Sequence, residues 1–250
     1  MHTPKKIADD LRMLGLSRGD AVIVHSSYKS VGDVEGRARG FIDALSDVVT
    51  DDGALLFPNL NIPGEFTSEN PPRFDVKKDE IRKFVGVVPQ VFKDECAEHF
   101  SLHPTHSLMG RGKKALMILA DHEKAGVPCG ADTPWHKNAV HGGLILLIGV
   151  DQACNTTYHC AEEQLDDSYQ LSKDVIDGVV IVDGNEKIVP SRLHVWGNHP
   201  DYNKINGELQ QKGFLREGDV GDARALLIDA LGFLDTCKLW MGQNPRYFLE

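Results

Sequence analysis

The chain alternates short, densely apolar runs with longer stretches in which apolar residues recur every three or four positions. Ile7, Leu11 and Leu14 share helical spacing, and Gly15 follows as a stop signal. A turn at 17–20 leads into Ala21, Val22, Ile23, Val24 and His25, a β-branched run that predicts a buried strand. Phe41, Ile42, Leu45, Val48 and Val49 predict an amphipathic helix. Asp51, Asp52 and Gly53 form a turn, and Ala54, Leu55, Leu56 and Phe57 a second buried strand that leaves at Pro58. Residues 85–92 and 116–125 have helical spacing, and 144–150 carry the strongest strand pattern. Residues 179–182 and 187–189, separated by Asp183, Gly184, Asn185 and Glu186, predict a hairpin. Residues 222–231 predict a helix, and 233–241 close the chain.

Strands alternating with helices predict an α/β fold with a mixed, largely parallel central sheet flanked by helices. Residues 59–83 stand apart, with prolines at 63, 71 and 72, many charges and few apolar positions. They read as a candidate lid or loop region within a single domain spanning 1–250.

The 250 residues are 41% apolar and 26% charged, an ordinary globular composition. The 27 basic side chains are outnumbered by 37 acidic ones, a formal net charge of -10. This argues against a nucleic-acid partner and fits a cationic one. Five cysteines without a C-x-x-C pair suggest neither a disulfide framework nor a thiolate zinc site. The polar start and the shortness of the apolar run at 144–150 predict no membrane partner and a cytoplasmic location.

Three segments could carry chemistry. His25, Ser26, Ser27, Tyr28, Lys29, Ser30, Val31 and Gly32 follow the first strand, where ligands bind in open α/β sheets. Their hydroxyls and loop N–H groups suit phosphate or amide groups, and a serine-rich turn without a ligand fits equally. Ser101, Leu102, His103, Pro104, Thr105, His106 and Ser107 offer two histidines, either as metal ligands or as side chains hydrogen-bonded to backbone. Asn155, Thr156, Thr157, Tyr158, His159, Cys160, Ala161, Glu162 and Glu163 follow the strongest strand. If Thr156 caps a helix, Glu162 and Glu163 fall at i+3 and i+4 from His159, on its side. A carboxylate beside an imidazole makes a general base, whereas a dipole-stabilised helix start is the alternative. Cys160 points about 100° away from His159 and is expected to be buried and inert.

In order, the blocks V-H-S-S-Y-K-S-V-G (24–32), D-G-A-L-L-F-P (52–58), F-D (74–75), V-G-V-V-P-Q-V-F (85–92), S-L-H-P-T-H-S (101–107), L-L-I-G-V-D (146–151), N-T-T-Y-H-C-A-E (155–162) and V-G-D-A (220–223) cover most of the chain. This set resembles the aminoglycoside 3-N-acetyltransferases, or antibiotic N-acetyltransferases. The resemblance implies a mixed α/β fold unrelated to the common GNAT acetyltransferases, acetyl-coenzyme A as donor, and no metal. It also implies direct acetyl transfer to an amine in a ternary complex, with His159 as base and Glu162 as its orienting partner. Ser26, Ser27, Ser30, Val31 and Gly32, with Ser101, His103, Thr105 and Ser107, are then the coenzyme A surface. Hydroxyls such as Ser107 or Thr105, or loop N–H groups, are candidates to serve the oxyanion.

An aminoglycoside acceptor implies a pocket lined by acids, and Glu65, Glu163, Asp166 and Asp167 are the candidates. The chain departs from the family at Phe100, where an arginine is common, so Lys29, Arg37 or Arg39 would hold the donor's phosphates. Cys160 replaces a larger aliphatic residue, and the chain reads as a compact member. The expected role is acetylation of an aminoglycoside 3-amino group, conferring resistance, by a monomer or homodimer. Acetyl transfer to another small-molecule amine, such as a phosphonate intermediate, is the second reading. A non-catalytic acetyl-coenzyme A binding protein is the third. A metallohydrolase built on His103, His106 and His159 ranks below these.

Overall fold

The computed structural model describes residues 1–250 except 63–65, 167, 196, 199 and 250. The elements run α1 (Pro4–Leu14), β1 (Ala21–Ser26), α2 (Tyr28–Val31), α3 (Arg37–Val49), β2 (Ala54–Leu60), β3 (Arg73–Asp75), α4 (Val87–Glu95), β4 (His99–Phe100) and β5 (His106–Arg111). They continue as α5 (Ala115–Leu119), α6 (Pro134–Val140), β6 (Leu144–Ile148), α7 (Tyr158–Glu162), β7 (Leu171–Val182), β8 (Asn185–His194), α8 (Asn206–Gln211), β9 (Leu215–Val220), β10 (Ala223–Asp229) and α9 (Ala230–Gln243).

Seven strands form one sheet in the order β4-β5-β2-β1-β6-β10-β9, and β3, β7 and β8 form a second. Successive side chains of a strand point to opposite faces, so a strand covered on both sides is apolar throughout. Ile23, Leu56, Ile145 and Leu147 face one cluster, which includes Trp135, Tyr158 and Phe233 from α6, α7 and α9. Val22, Val24, Leu55, Phe57, Leu146 and Ile148 face the other, with Ile7 and Leu11 of α1, Phe41 and Leu45 of α3, and Phe92 of α4. Each helix turns its apolar stripe to the sheet, and the result is three layers.

The expected α/β fold with a mixed central sheet flanked by helices is what the chain adopts. The parallel part is smaller than expected. Among the described residues of this sheet only β2 with β1 and β1 with β6 run parallel, while β4, β5, β9 and β10 pair antiparallel. Much of the difference lies at 222–231, where a helix was expected and β10 stands instead. Ala225, Leu226, Leu227 and Ile228 are buried from both faces, so their continuous apolar run carries no strand alternation. The two-residue turn at Gly221 and Asp222, with Gly221 at φ +59°, marks the hairpin.

The hairpin of β7 and β8 is much longer than the 179–182 and 187–189 pair expected, and β8 ends on His194. Its half-exposed, charged strands lack a clean alternation. Within 59–83 the chain forms the short strand β3, which pairs with β7. The helix expected over 116–125 is shorter, ending at Leu119 before a 3-10 turn at His122–Lys124.

Leu147 is fully buried on the face that carries α7, in a strand paired on both sides. Leu147→Ala is expected to lower unfolding stability by about 2–5 kcal/mol, read as a shift of the denaturant midpoint with an unchanged slope.

Candidate active site

The parallel strands β1, β2 and β6 end at one edge of the sheet. Ser26 pairs with Ile148, so β1 and β6 finish level. The antiparallel β5 starts at that edge, with His106 opposite Leu60 at the end of β2. A cavity of about 690 Å³ opens there. His25, Ser26, His106, His159 and His194 supply its polar lining, and Val24, Leu60, Ile62, Phe84, Val85 and Val150 much of its apolar wall.

The segment after β6 is pinned by its own side chains. Asp151 Oδ1 accepts from the Ala153 N–H at 2.9 Å, and Asn155 Oδ1 from the Thr157 N–H at 3.1 Å. Thr157 rather than Thr156 holds the N-cap position of α7, without a side-chain cap bond. Tyr158 anchors the helix in the core, stacked on Tyr202 at 3.7 Å and edge-on to Phe233 and Phe248 at 5.0 and 4.8 Å. With Tyr158 inward, His159 turns about 100° away and reaches the cavity.

His159 Nδ1 lies 2.6 Å from Glu162 Oε2. The Glu162 side chain has no exposed surface, and its Oε1 accepts from the Tyr169 hydroxyl at 2.7 Å and the Tyr202 hydroxyl at 2.9 Å. Burial works against both charges of this pair. The hydrogen bonds and mutual attraction prevail, so Glu162 titrates below its ordinary value and His159 above its ordinary 6.5. With Nδ1 facing the carboxylate, Nε2 is the nitrogen left to exchange a proton.

Glu163 was expected on the acceptor's wall, and the structure corrects this. Its side chain is fully buried, with Oε2 accepting from the N–H groups of Cys129 at 2.8 Å and Gly130 at 2.6 Å. Its Oε1 lies 2.5 Å from His194 Nε2. Burial pushes the Glu163 carboxyl up to about 8.

Ser101, His103, Thr105 and Ser107 are also corrected. All are buried, at most 3% exposed, and none lines the cavity. The N–H groups of Thr105 and His106 donate to His103 Nδ1, which leaves Nε2–H to donate to Ser191 Oγ at 3.0 Å. Ser101 Oγ lies 2.9 Å from His122 Nδ1, and Ser107 Oγ donates to the Ser101 carbonyl at 2.6 Å. The Thr105 hydroxyl bridges His103 and His106. This segment is a hydrogen-bonded block behind the site, and its polar groups are occupied within the fold.

Of the first segment, Ser26 faces the cavity, Ser27 is half-buried and Ser30 is exposed, with Ser30 Oγ donating to Ser27 Oγ at 2.9 Å. Val31 is a core residue. Gly32 sits at φ +89°, and a Cβ there would lie 2.1 Å from Asp222 Oδ2. The glycine lets the β9–β10 turn close against this loop, where the Asp222 N–H donates to the Val31 carbonyl at 3.0 Å. Asp166 is exposed, whereas Glu65 and Asp167 lie outside the described residues. Arg39 pairs with Asp43 and Glu95, and Lys29 and Arg37 are exposed.

His25 and His106, which lie in two of the segments expected to carry chemistry, also line the cavity, and so does His194, which the sequence did not single out. His25 Nε2 and Ser26 Oγ are buried with no hydrogen-bond partner among the described residues. Burial drops His25 to about 3, so it is neutral. His106, Cys129 and His194 bring potential ligand atoms within 4.8 Å of one another. Burial, and next the charge of Glu163, holds the Cys129 thiol protonated, and His194 Nε2 already faces Glu163, so this donor set is poorly suited to a metal.

The fold and this site define an α/β enzyme in which a buried carboxylate backs a cavity histidine. The profile of the aminoglycoside 3-N-acetyltransferases matches residues 23–242, and the chain belongs to that family of acyltransferases. It is 26% identical to the SPbeta prophage-derived aminoglycoside N(3')-acetyltransferase-like protein YokD of Bacillus subtilis, over 97% of this chain and 93% of that protein. Aminoglycoside N(3)-acetyltransferase VII of Streptomyces paromomycinus is 27% identical over 97% of this chain and 92% of its own. Among solved structures, AAC-IIIb in a binary complex with CoASH superposes with a TM-score of 0.81 at 25% identity, over 96% of each chain. AAC(3)-IVa in complex with a gentamicin superposes with a TM-score of 0.84 at 25% identity, over 100% of this chain and 92% of that one. Among the described residues no helix is long and apolar enough to cross a membrane.

Cys129, Cys160 and Cys237 are buried and Cys96 is half-buried, whereas Cys154 is exposed at the cavity. Iodoacetamide should therefore label Cys154 first in the native protein, with all five cysteines labelled only after denaturation, as read by peptide mass spectrometry.

Proposed function

We propose that this protein transfers the acetyl group of acetyl-coenzyme A to the 3-amino group of an aminoglycoside, by direct attack within a ternary complex, and so confers resistance. The observation that carries the reading is the His159–Glu162 pair, 2.6 Å apart, at a cavity of about 690 Å³ on the carboxyl edge of the sheet. Family membership and the coenzyme A and gentamicin complexes of its relatives support it.

An ammonium cannot attack a thioester until it loses a proton. His159 Nε2 takes that proton, and Glu162, itself held by two tyrosine hydroxyls, stabilises the imidazolium that forms. Ser26 Oγ and His25 Nε2, buried and without partners among the described residues, suit the amide and carbonyl groups of a pantetheine thioester. They replace Thr105 and Ser107 as candidates for the oxyanion. Ser27, Ser30 and the loop at Gly32 extend this surface outward, and exposed Lys29, in the same segment, is the cation we assign to the phosphates. Asp166 is exposed, and of the acids expected to meet a cationic acceptor it is the one both described and at the surface.

The test is thiol release from acetyl-coenzyme A with a panel of aminoglycosides. Turnover by the wild type, with His159→Ala at least about a hundredfold slower in kcat/KM, is the expected result. Binding of acetyl-coenzyme A without turnover across the panel would reject the aminoglycoside reading and favour another amine.

His159 accepts a proton only when neutral, and burial alone would ease that by lowering its pKa. The hydrogen bond and charge of Glu162 more than offset burial and hold it above 6.5. The rate should therefore rise with pH through an apparent pKa above 6.5, as measured from kcat/KM profiles. Glu162→Gln removes the charge, so the acid limb should move to lower pH while the plateau falls.

A further inference from the structure

Two histidine–glutamate pairs meet at the cavity, and the mechanism above uses one of them. The glutamates are consecutive. Glu162 backs His159, and Glu163 backs His194 at 2.5 Å from the far end of β8. The rings of His159 and His194 lie 4.5 Å apart, edge to face, and both line the same cavity. His106 also packs against His194, with ring centroids 4.3 Å apart. With Nε2 turned to Glu163, Nδ1 is the His194 nitrogen left for the cavity, and it has no hydrogen-bond partner among the described residues.

Acetyl transfer to an amine, the reading on which this inference rests, moves two protons. One must leave the acceptor, and one must reach the sulfur as the carbon–sulfur bond breaks. His159 serves the amine, and a second histidine–carboxyl pair lines the same cavity. We propose that His194, backed by Glu163, is the proton donor to the departing coenzyme A sulfur.

The bonding balances. As the tetrahedral intermediate collapses, the carbon–sulfur electron pair goes to sulfur, which takes the proton from His194 Nδ1. The Glu163 carboxyl proton passes to Nε2. His194 thus ends neutral with its proton moved to the other nitrogen, and Glu163 ends as a carboxylate. The N–H groups of Cys129 and Gly130, 2.8 and 2.6 Å from Oε2, are already aimed at that charge. Over one cycle the ammonium gives up two protons as it becomes an amide. Sulfur keeps one and solvent receives the other, with the pair recharged from His159 or water.

The groups around the pair favour this starting state. Burial keeps His194 well below 6.5, and the charge on His159 lowers it further, while Glu162 alone works the other way. Burial holds Glu163 near 8, against the amides of Cys129 and Gly130, so a carboxylic acid beside a neutral imidazole prevails at neutral pH.

The experiment compares two acetyl donors whose thiols differ in acidity, acetyl-coenzyme A and S-acetyl-4-nitrothiophenol, with the fastest acceptor of the aminoglycoside panel. The aryl thiolate is a good leaving group without a proton. His194→Gln should lose at least about a hundredfold in kcat with acetyl-coenzyme A, and less than about threefold with the aryl donor. Glu163→Gln keeps the amide acceptor for Cys129 and Gly130 but cannot release a proton, so it should show the same donor-dependent loss in a fully folded protein. His159→Gln should be impaired with both donors. Equal losses of His194→Gln and Glu163→Gln with the two donors, or no loss with acetyl-coenzyme A, would overturn the proposal. Wild-type protein inactive with every donor and acceptor would instead remove the acetyltransferase reading, and this inference with it.

Discussion

The site depends on burying two adjacent carboxyl groups at the end of a five-residue helix. Neither Glu162 nor Glu163 has exposed side-chain surface. Taking a carboxyl group out of water is costly, most of all when it is ionised, so each must be met by hydrogen-bond partners with good geometry. Glu162 draws them from its own helix through His159, from Tyr169, and from Tyr202, which is 40 residues away in sequence. Glu163 draws them from the backbone at 129–130 and from the end of β8. Four separate stretches of chain are therefore held against α7, and the cavity wall is set by the same contacts. A helix this short has little stability of its own. Tyr158 supplies what is missing by packing into the aromatic cluster of Tyr202, Phe233 and Phe248.

Strand direction decides where these groups meet. The level ends of β1 and β6 deliver His25, Ser26 and Val150 to one edge of the sheet. β5 runs the opposite way, and that reversal places its first residue, His106, at the edge where β2 finishes. A strictly parallel sheet would have put the start of that strand at the far edge. The hydrogen-bonded block of Ser101, His103, Thr105 and Ser107 fixes the approach to β5, so its polarity serves the placement of His106 rather than a ligand.

The parts legible in the sequence are those whose cause is local. The strand at 144–150 and the pairing of His159 with Glu162 follow from apolar runs and helix spacing. What could not be read depends on tertiary environment. Glu163 also lies at helical spacing from His159, but its direction was decided by the backbone amides of Cys129 and Gly130, more than thirty residues earlier. The histidines and hydroxyls of 101–107 have the composition of a binding loop, and only their burial shows that they bind each other. β10 is missed because a strand buried on both faces and a buried helix share one apolar signature. His194 stands beside no motif, and its importance arises from the carboxylate that faces it.

The charge of the molecule and the charge of its cavity are different quantities. The net charge of -10 draws cations toward the protein over distances comparable to the screening length. The described lining of the cavity, however, contains no carboxylate. His25, His106 and His194 are held neutral there by burial, and the acids stand behind His159 and His194. An ammonium that enters such a wall leaves water without gaining a carboxylate in direct contact. Desolvation of this kind lowers the pKa of an amine, while the Glu162 pair raises that of His159. The two shifts bring donor and acceptor toward each other, so proton transfer from the amine to His159 becomes less uphill than in water. A cavity ringed by acids would bind the cation more tightly and hold its proton more firmly. On the proposed reading, the acids belong at the rim, where they attract the substrate, and the neutral interior is what makes it a nucleophile.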